Sequence, residues 1–124
     1  MATYRGTRRT DGRAEVTVDG VALDPRHDLV NHSPDGFEWG YAGSGPAQLA
    51  LAILAHHFAV PCPVDPRTHE LGADETTPAM RAIRQHQRFK FAAIGALPRH
   101  APWSLTTTDV EGALRMIARD YPEG

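Results

Sequence analysis

Cysteine occurs once, as Cys62, which excludes an intramolecular disulfide framework and any cysteine-rich zinc site. Lysine is as scarce: Lys90 is the single lysine among 13 basic residues, and the others are arginines. That bias, with many Ala, Gly and Pro, fits a GC-rich genome or planar recognition of carboxylates and phosphates. Neither sign of charge dominates. Fifteen acidic residues against 13 basic ones give a net charge of −2, which excludes a strongly basic whole-chain nucleic-acid footprint and an acidic mimic of nucleic acid. A local basic surface is still allowed. A long apolar run is missing too: the longest, 47–55, is interrupted by Gln48 and is far too short to span a bilayer. The opening "MATYRGTRRT" is polar from the start and carries no leader pattern. A soluble, cytoplasmic protein is expected.

What is present suits one domain over 1–124. At 13.6 kDa the chain can bury roughly two-thirds of its unfolded surface, and its 41% hydrophobic and 23% charged residues are ordinary for a globular protein. "TYRGTRR" and "EVTV" flank Asp11-Gly12, which predicts a β-hairpin with a two-residue loop, and a second turn at Asp19-Gly20 leads into "VAL". Val16, Val18, Val21 and Leu23 form the expected inner face. The stretch "DPRHDLVNHSPDG" either crosses the sheet or adds an edge strand at 29–31, with Pro25 and Pro34 barring a central strand or a helix.

The helix from Pro46 to about Phe58 is the clearest element, with proline at its first position and Ser44 or Gly45 as N-cap. It is apolar nearly all round, so it is expected at the centre of the fold. The proline-rich segment 59–78 reads as a surface loop. A second helix is predicted from about Pro78 to Leu97, with Met80, Ile83, Gln87, Phe91, Ile94 and Leu97 as its buried stripe and Pro98 as its stop. "PWSL" suits a short strand. Thr108 and Glu111 suggest a capping box for a last helix carrying Val110, Leu114, Ile117 and Tyr121. The expected class is α+β: a small N-terminal antiparallel sheet packed against about three helices, with the central helix 46–58 buried.

The stretch "GFEWGYAGSGPAQLALAILAHHF" holds the principal candidate site. Its glycine-rich segment 40–45 opens into the central helix, where backbone N–H groups and the positive helix end can hold an anion. Trp39, Tyr41, Gly43, Ser44, Gly45 and Gln48 are the candidate ligand-binding residues. The spacing is neither the dinucleotide fingerprint nor a P-loop, and 42 and 46 are Ala and Pro where a nucleophile elbow needs glycine. The competing interpretation makes the glycines a sharp structural turn, with Trp39 and Tyr41 in the core beneath. Gln48 divides the two, because a buried amide must bond either to local backbone or to a ligand.

Other chemistry is sparse. His32 lies near Asp35 and Glu38, and His56 and His57 end the central helix, but no metal-binding histidine spacing exists. No metal, cofactor or catalytic residue is expected. Arg81, Arg84 and Arg88 recur at i, i+3 and i+7 on the second helix, and Arg5, Arg8, Arg9 and Arg13 crowd the first hairpin; adjoining, they would form a surface for backbone phosphates. Cys62 lies between two prolines with no cationic sequence neighbour, so an inert thiol is expected.

The residues "NHSPDGFEWGYAGSGPAQLALAIL", followed by "HQRFKFAAIGALP" and "WSLT", resemble an uncharacterised family of small prokaryotic and phage proteins whose core motif is WGY-x-GSGP-x-QLA. The resemblance covers most of the chain. It groups Trp39, Gly40, Tyr41, Gly43, Gly45, Pro46 and Gln48 into one constellation and implies an accessory protein of prokaryotes or mobile elements, without an activity. The reading is a small non-enzymatic binding or regulatory protein, contacting nucleic acid through the arginine face or a protein partner. The alternative is a nucleotide- or phosphate-binding enzyme or sensor using the 40–45 loop. A third option shares the apolar central helix between subunits.

Overall fold

A computed structural model describes residues 1–64 and 77–121. Most of the expected surface loop, 65–76, and residues 122–124 lie outside the described residues. Strands β1 (Thr3–Arg8), β2 (Ala14–Val18) and β3 (Val21–Ala22) precede helix α1 (Ser44–His57) and helix α2 (Pro78–Phe89). A π-helical turn (Lys90–Ile94), strand β4 (Trp103–Thr106) and helix α3 (Thr107–Asp120) follow among the described residues. The class is α+β, a small antiparallel sheet with three α-helices.

The sheet runs β3-β2-β1-β4 and is antiparallel throughout. Its fourth strand comes from the far end of the chain, Gly6 facing Trp103 and Thr3 facing Thr106. The first hairpin departs from the two-residue loop that Asp11-Gly12 suggests. Arg9 N–H donates to the Arg13 carbonyl (2.8 Å), Gly12 N–H donates to the Arg9 carbonyl (2.9 Å), and Gly12 has φ +87°. This is the three-residue loop closed by a left-handed residue. The second hairpin is the two-residue form, with Asp19 and Gly20 at φ +50° and +84° and Val18 paired with Val21.

Alternation along β1 and β2 turns Tyr4, Val16 and Val18 inward, into one apolar cluster with the middle of α1. Residues 45–55 of α1 are all buried. The helix is wrapped by its own chain, which fills the role that a shared subunit interface would have played. It begins two residues before Pro46, with Gly43 as an N-cap that makes no side-chain bond.

Helix α2 buries Ala79, Ala82, His86 and Phe89, not the stripe through Met80, Ile83, Gln87 and Phe91. The inward face is turned by about one residue because small alanines let α2 lie close on the alanine-rich α1, and that gain outweighs the larger side chains. The π-turn inserts one residue, returning Ile94 to the core and leaving Phe91 66% exposed. The helical run thus ends at Ile94, short of Leu97. Helix α3 starts one residue earlier than its expected cap, and its capping box is Thr106 with Asp109 instead of Thr108 with Glu111. No strand forms at 29–31. The backbone from 24 to 43 is irregular, with Arg26 at φ +61°, and its polar groups are met by side chains described below. Among the described residues no helix is long and apolar enough to cross a membrane.

Candidate functional site

The glycine loop closes on its own chain. A side chain at Gly40, whose φ is +83°, would meet the Arg99 backbone at 2.8 Å. One at Gly43 would strike the Tyr41 ring at 2.5 Å, and one at Gly45 would strike Glu38 Cβ at 2.7 Å. Gly40 N–H donates to the Ile94 carbonyl (3.1 Å), and Arg99 lies over the Tyr41 ring at 4.7 Å. Trp39 is fully buried, its indole N–H donating to the Pro98 carbonyl (3.1 Å) and its ring lying edge-on to Trp103. Tyr41 is partly exposed, so it is a surface cover and not the core filler that the turn interpretation assigned. The space beside these glycines is occupied by protein, which is why the loop needs residues without side chains.

Gln48 is fully buried and uses its entire hydrogen-bonding capacity on backbone. Its Oε1 accepts from His32 N (2.7 Å) and Ser33 N (3.1 Å), and its Nε2 donates to the carbonyls of Pro25 (2.6 Å) and Val30 (3.0 Å). One amide therefore holds both ends of the 25–33 segment against α1. No donor or acceptor remains for a ligand. The expected ligand-binding set is thereby divided: Trp39 and Gln48 are interior, Gly43 and Gly45 are spacers, and Tyr41 and Ser44 reach the surface.

A second polar clamp, which the sequence reading did not identify, lies next to the first. Buried Arg26 makes a two-pronged pair with Asp28 and also donates to the carbonyls of Val60 (3.2 Å) and Pro61 (2.5 Å). Asp28 Oδ2 accepts from Val64 N (2.7 Å). The Arg26 guanidinium, aided by that backbone donor, holds the Asp28 carboxyl below its ordinary range despite burial. Together these groups join the segment after β3 to the segment after α1. In the sequence this is only an arginine two residues before an aspartate, which nothing in composition separates from a solvated pair; the left-handed backbone and burial of Arg26 appear only in the structure.

Between these clamps and the sheet edge opens a cleft of about 570 Å³. Val18, Val21, Leu23, Ala52, Ala59 and Val60 give it apolar walls, with Asp19, Asp24, Arg26, His56 and Cys62 among its polar lining. It exists because β3 is two residues long and its inward-facing Val21 remains 67% exposed beyond the cover of α1. Cys62 Sγ donates to Asp24 Oδ2 (3.5 Å), and burial followed by that carboxylate raises the thiol above its usual value. It is an S–H group, not a nucleophilic thiolate. His56 lines the cleft, and its Nδ1 lies 2.8 Å from Oη of the fully buried Tyr4. Burial, then Asp19, pushes the Tyr4 phenol up to about 12, so the hydroxyl stays protonated.

Two further histidines, His32 and His86, are structural partners. His32 and His86 meet through their Nε2 atoms at 2.9 Å. His86 Nδ1 faces the Ile83 carbonyl, which can only accept, so Nδ1 carries the His86 proton and the His32 Nε2–H donates across the pair. His32 is thus directed away from Asp35 and Glu38. Glu38 instead takes a two-pronged pair from Arg8 (2.7 and 3.1 Å), whose guanidinium lies 4.5 Å over Trp39. That pairing holds the Glu38 carboxyl below its ordinary value. Among the described residues no three His, Cys, Asp or Glu side chains converge to hold a metal ion. Of the arginine stripe, Arg81 stacks on Phe58 at 4.4 Å and Arg88 on Tyr121 at 4.1 Å, while Arg84 lies exposed between them. In the first hairpin Arg9 faces Glu15 at 3.5 Å.

Residues 4–62 match the model of a family of unknown function, DUF6166, which supports an uncharacterised domain over that part of the chain. No curated protein and no solved structure matches the chain. The matched segment contains the glycine loop, the Gln48 clamp, the Arg26 clamp apart from Val64, and every residue lining the 570 Å³ cleft.

Two outcomes are expected. Replacing Gln48 with Leu strands two N–H groups and two carbonyls, and should lower unfolding stability by about 3 kcal/mol, read from urea denaturation midpoints; an unchanged midpoint would contradict the clamp. Burial lowers the pKa of both His32 and His86, and each is further lowered by Lys90. The unfolded chain therefore takes up protons first as pH falls below about 6.5, so stability is full above that value and declines below it. Thermal midpoints measured from pH 7.5 down to pH 5 should fall for the native chain and fall less for His86→Gln.

Proposed function

We propose that the protein is a small, non-enzymatic binding protein whose site is the cleft between β3 and the end of α1. The observation that carries this reading is that the whole lining lies within the segment matched by the family model, together with Arg26 and Gln48, whose clamps build its wall. The cleft is in the size range of ligand sites, apolar with a few convergent polar groups. Its chemistry favours contact over catalysis: the thiol is held protonated by Asp24, and the His56 Nδ1 is engaged by Tyr4. Arg26 is neutralised by Asp28, which leaves Asp19 and Asp24 as the charges at the mouth. The fitting occupant is a basic, apolar segment of a protein partner, with an aliphatic stem along Val18, Leu23 and Val60 and a cationic head at the carboxylates. An accessory role in a prokaryotic cytoplasm or mobile element, with WGY-x-GSGP-x-QLA as a shared core, belongs to the same proposal.

Amide NMR titration with acetyl-Leu-Lys-Leu amide should shift 21–24 and 56–60, and Asp19→Asn with Asp24→Asn should weaken the effect. The Glu counterpart peptide should leave these amides unmoved. Equal shifts from both peptides, or none from either, would refute the site.

A second reading keeps the arginine face of α2 as a nucleic-acid contact. It is favoured by the charge of the segment 77–108, which carries Arg81, Arg84, Arg88, Lys90 and Arg99 and no acidic residue. Stacking of Arg81 and Arg88 on aromatic rings uses their flat faces and leaves edge N–H groups for phosphates. Fluorescence anisotropy with a short DNA duplex should show binding that weakens as salt rises and disappears in Arg81→Glu with Arg84→Glu. Salt-independent binding, or binding that survives the substitutions, would remove this face. No described contact at the 40–45 loop favours the phosphate-binding alternative.

A further inference from the structure

Three large apolar side chains stand exposed in one place, outside the matched segment. Phe91 (66%), Met116 (50%) and Tyr121 (50%) line a groove of about 270 Å³ between the π-turn and the last turns of α3. Among the described residues the other exposed large apolar side chains, Met1, Val21 and Tyr41, do not line this groove, whereas these three gather in it, unlike the scattered exposure that any surface shows. The π-turn is what presents Phe91: the inserted residue sends Ile94 inward and leaves Phe91 and Ala92 outward on the groove wall. Aromatic residues, methionine and arginine are the side chains enriched at protein interfaces.

The polar residues of the groove decide the occupant. Arg88, stacked on Tyr121, lies on the α2 side, and Asp120 lies on the α3 side. Asp120 is badly placed for its own helix, since a carboxylate at a helix C-terminus opposes the dipole. Among the described residues its ion-pair contact, to Arg119 Nε, is 3.5 Å long between two exposed groups. Lys90 Nζ lies 4.5 Å over the Phe91 ring, and the groove lining itself carries one cation and one anion, Arg88 and Asp120, on opposite walls, a surface complementary to itself. Under a two-fold axis, Arg88 of each copy faces Asp120 of the other, and the pair forms twice.

We infer that the groove formed by Phe91, Met116 and Tyr121 is a homodimer interface, closed by reciprocal Arg88–Asp120 ion pairs between two copies of this chain. This inference is independent of the cleft beside β3, which stays open in either state. The buried α1 takes no part in it.

Light scattering coupled to size exclusion, run on the full chain from micromolar to submillimolar concentration, should show mass rising from 13.6 kDa toward twice that value. Met116→Glu should hold the chain at the monomer mass. The decisive set is a charge exchange. Arg88→Asp alone and Asp120→Arg alone should each weaken association at least tenfold by placing like charges together. The double variant, which restores the opposite pairing, should recover it, with circular dichroism confirming that all three variants are folded. A native chain that stays monomeric at the highest concentration would overturn the inference, and so would a folded double variant that fails to recover dimerisation.

Discussion

One carboxamide holds the least regular part of this molecule in place. Between β3 and α1 the chain runs some twenty residues without a strand or helix to satisfy its backbone. Such a segment can be buried only if something else accepts and donates on its behalf. Gln48 does so at four points from inside an otherwise apolar helix. Four hydrogen bonds to one fully buried side chain also fix that chain's rotamer, so the clamp is rigid at both ends. A polar residue in the middle of a hydrophobic run is costly when left alone and specific when fully satisfied.

Other parts of the structure follow from that placement. With 25–33 held against α1, Arg26 and Asp28 are brought to the segment after α1 and bind its carbonyls and the Val64 N–H. His32, whose own N–H is one of the four partners, is brought onto His86 of α2. The two sides of α1 are thereby connected through a loop instead of through a strand. The cleft beside β3 is the space left where this polar scaffold ends and the short edge strand fails to reach it. A site on such a support is pre-shaped, which favours recognition by fit over recognition by rearrangement.

Much of this architecture was legible in the sequence, and the misses have identifiable physics. The hairpin at Asp19-Gly20 and the buried α1 follow from turn chemistry and an all-apolar pattern, and both appear with small boundary changes. The buried face of α2 differs from the expected stripe because close approach of small residues outweighs side-chain size there: Ala79 and Ala82 face the core, while Met80 and Gln87 do not. The capping box moved from Thr108 to Thr106 because β4 runs directly into α3, and only the three-dimensional junction shows which threonine is last in the strand. At the glycine loop the sequence posed the right question through Gln48 and could not answer it. The four partners lie 15 to 23 residues away, and no local pattern announces them. The Arg26–Asp28 clamp was invisible for the same reason. Its partners at 60, 61 and 64 become neighbours only after α1 has reversed the direction of the chain.

The most direct measurement is native-state amide hydrogen exchange at His32 and Ser33. Both lie in an irregular segment, and an exposed loop of that kind would exchange almost without protection. If their N–H groups are held by Gln48 Oε1 inside the fold, they should exchange as slowly as amides in the middle of α1. Exchange at the rate of a solvated loop would show that the amide does not hold the segment, and the clamp on which the cleft depends would be wrong.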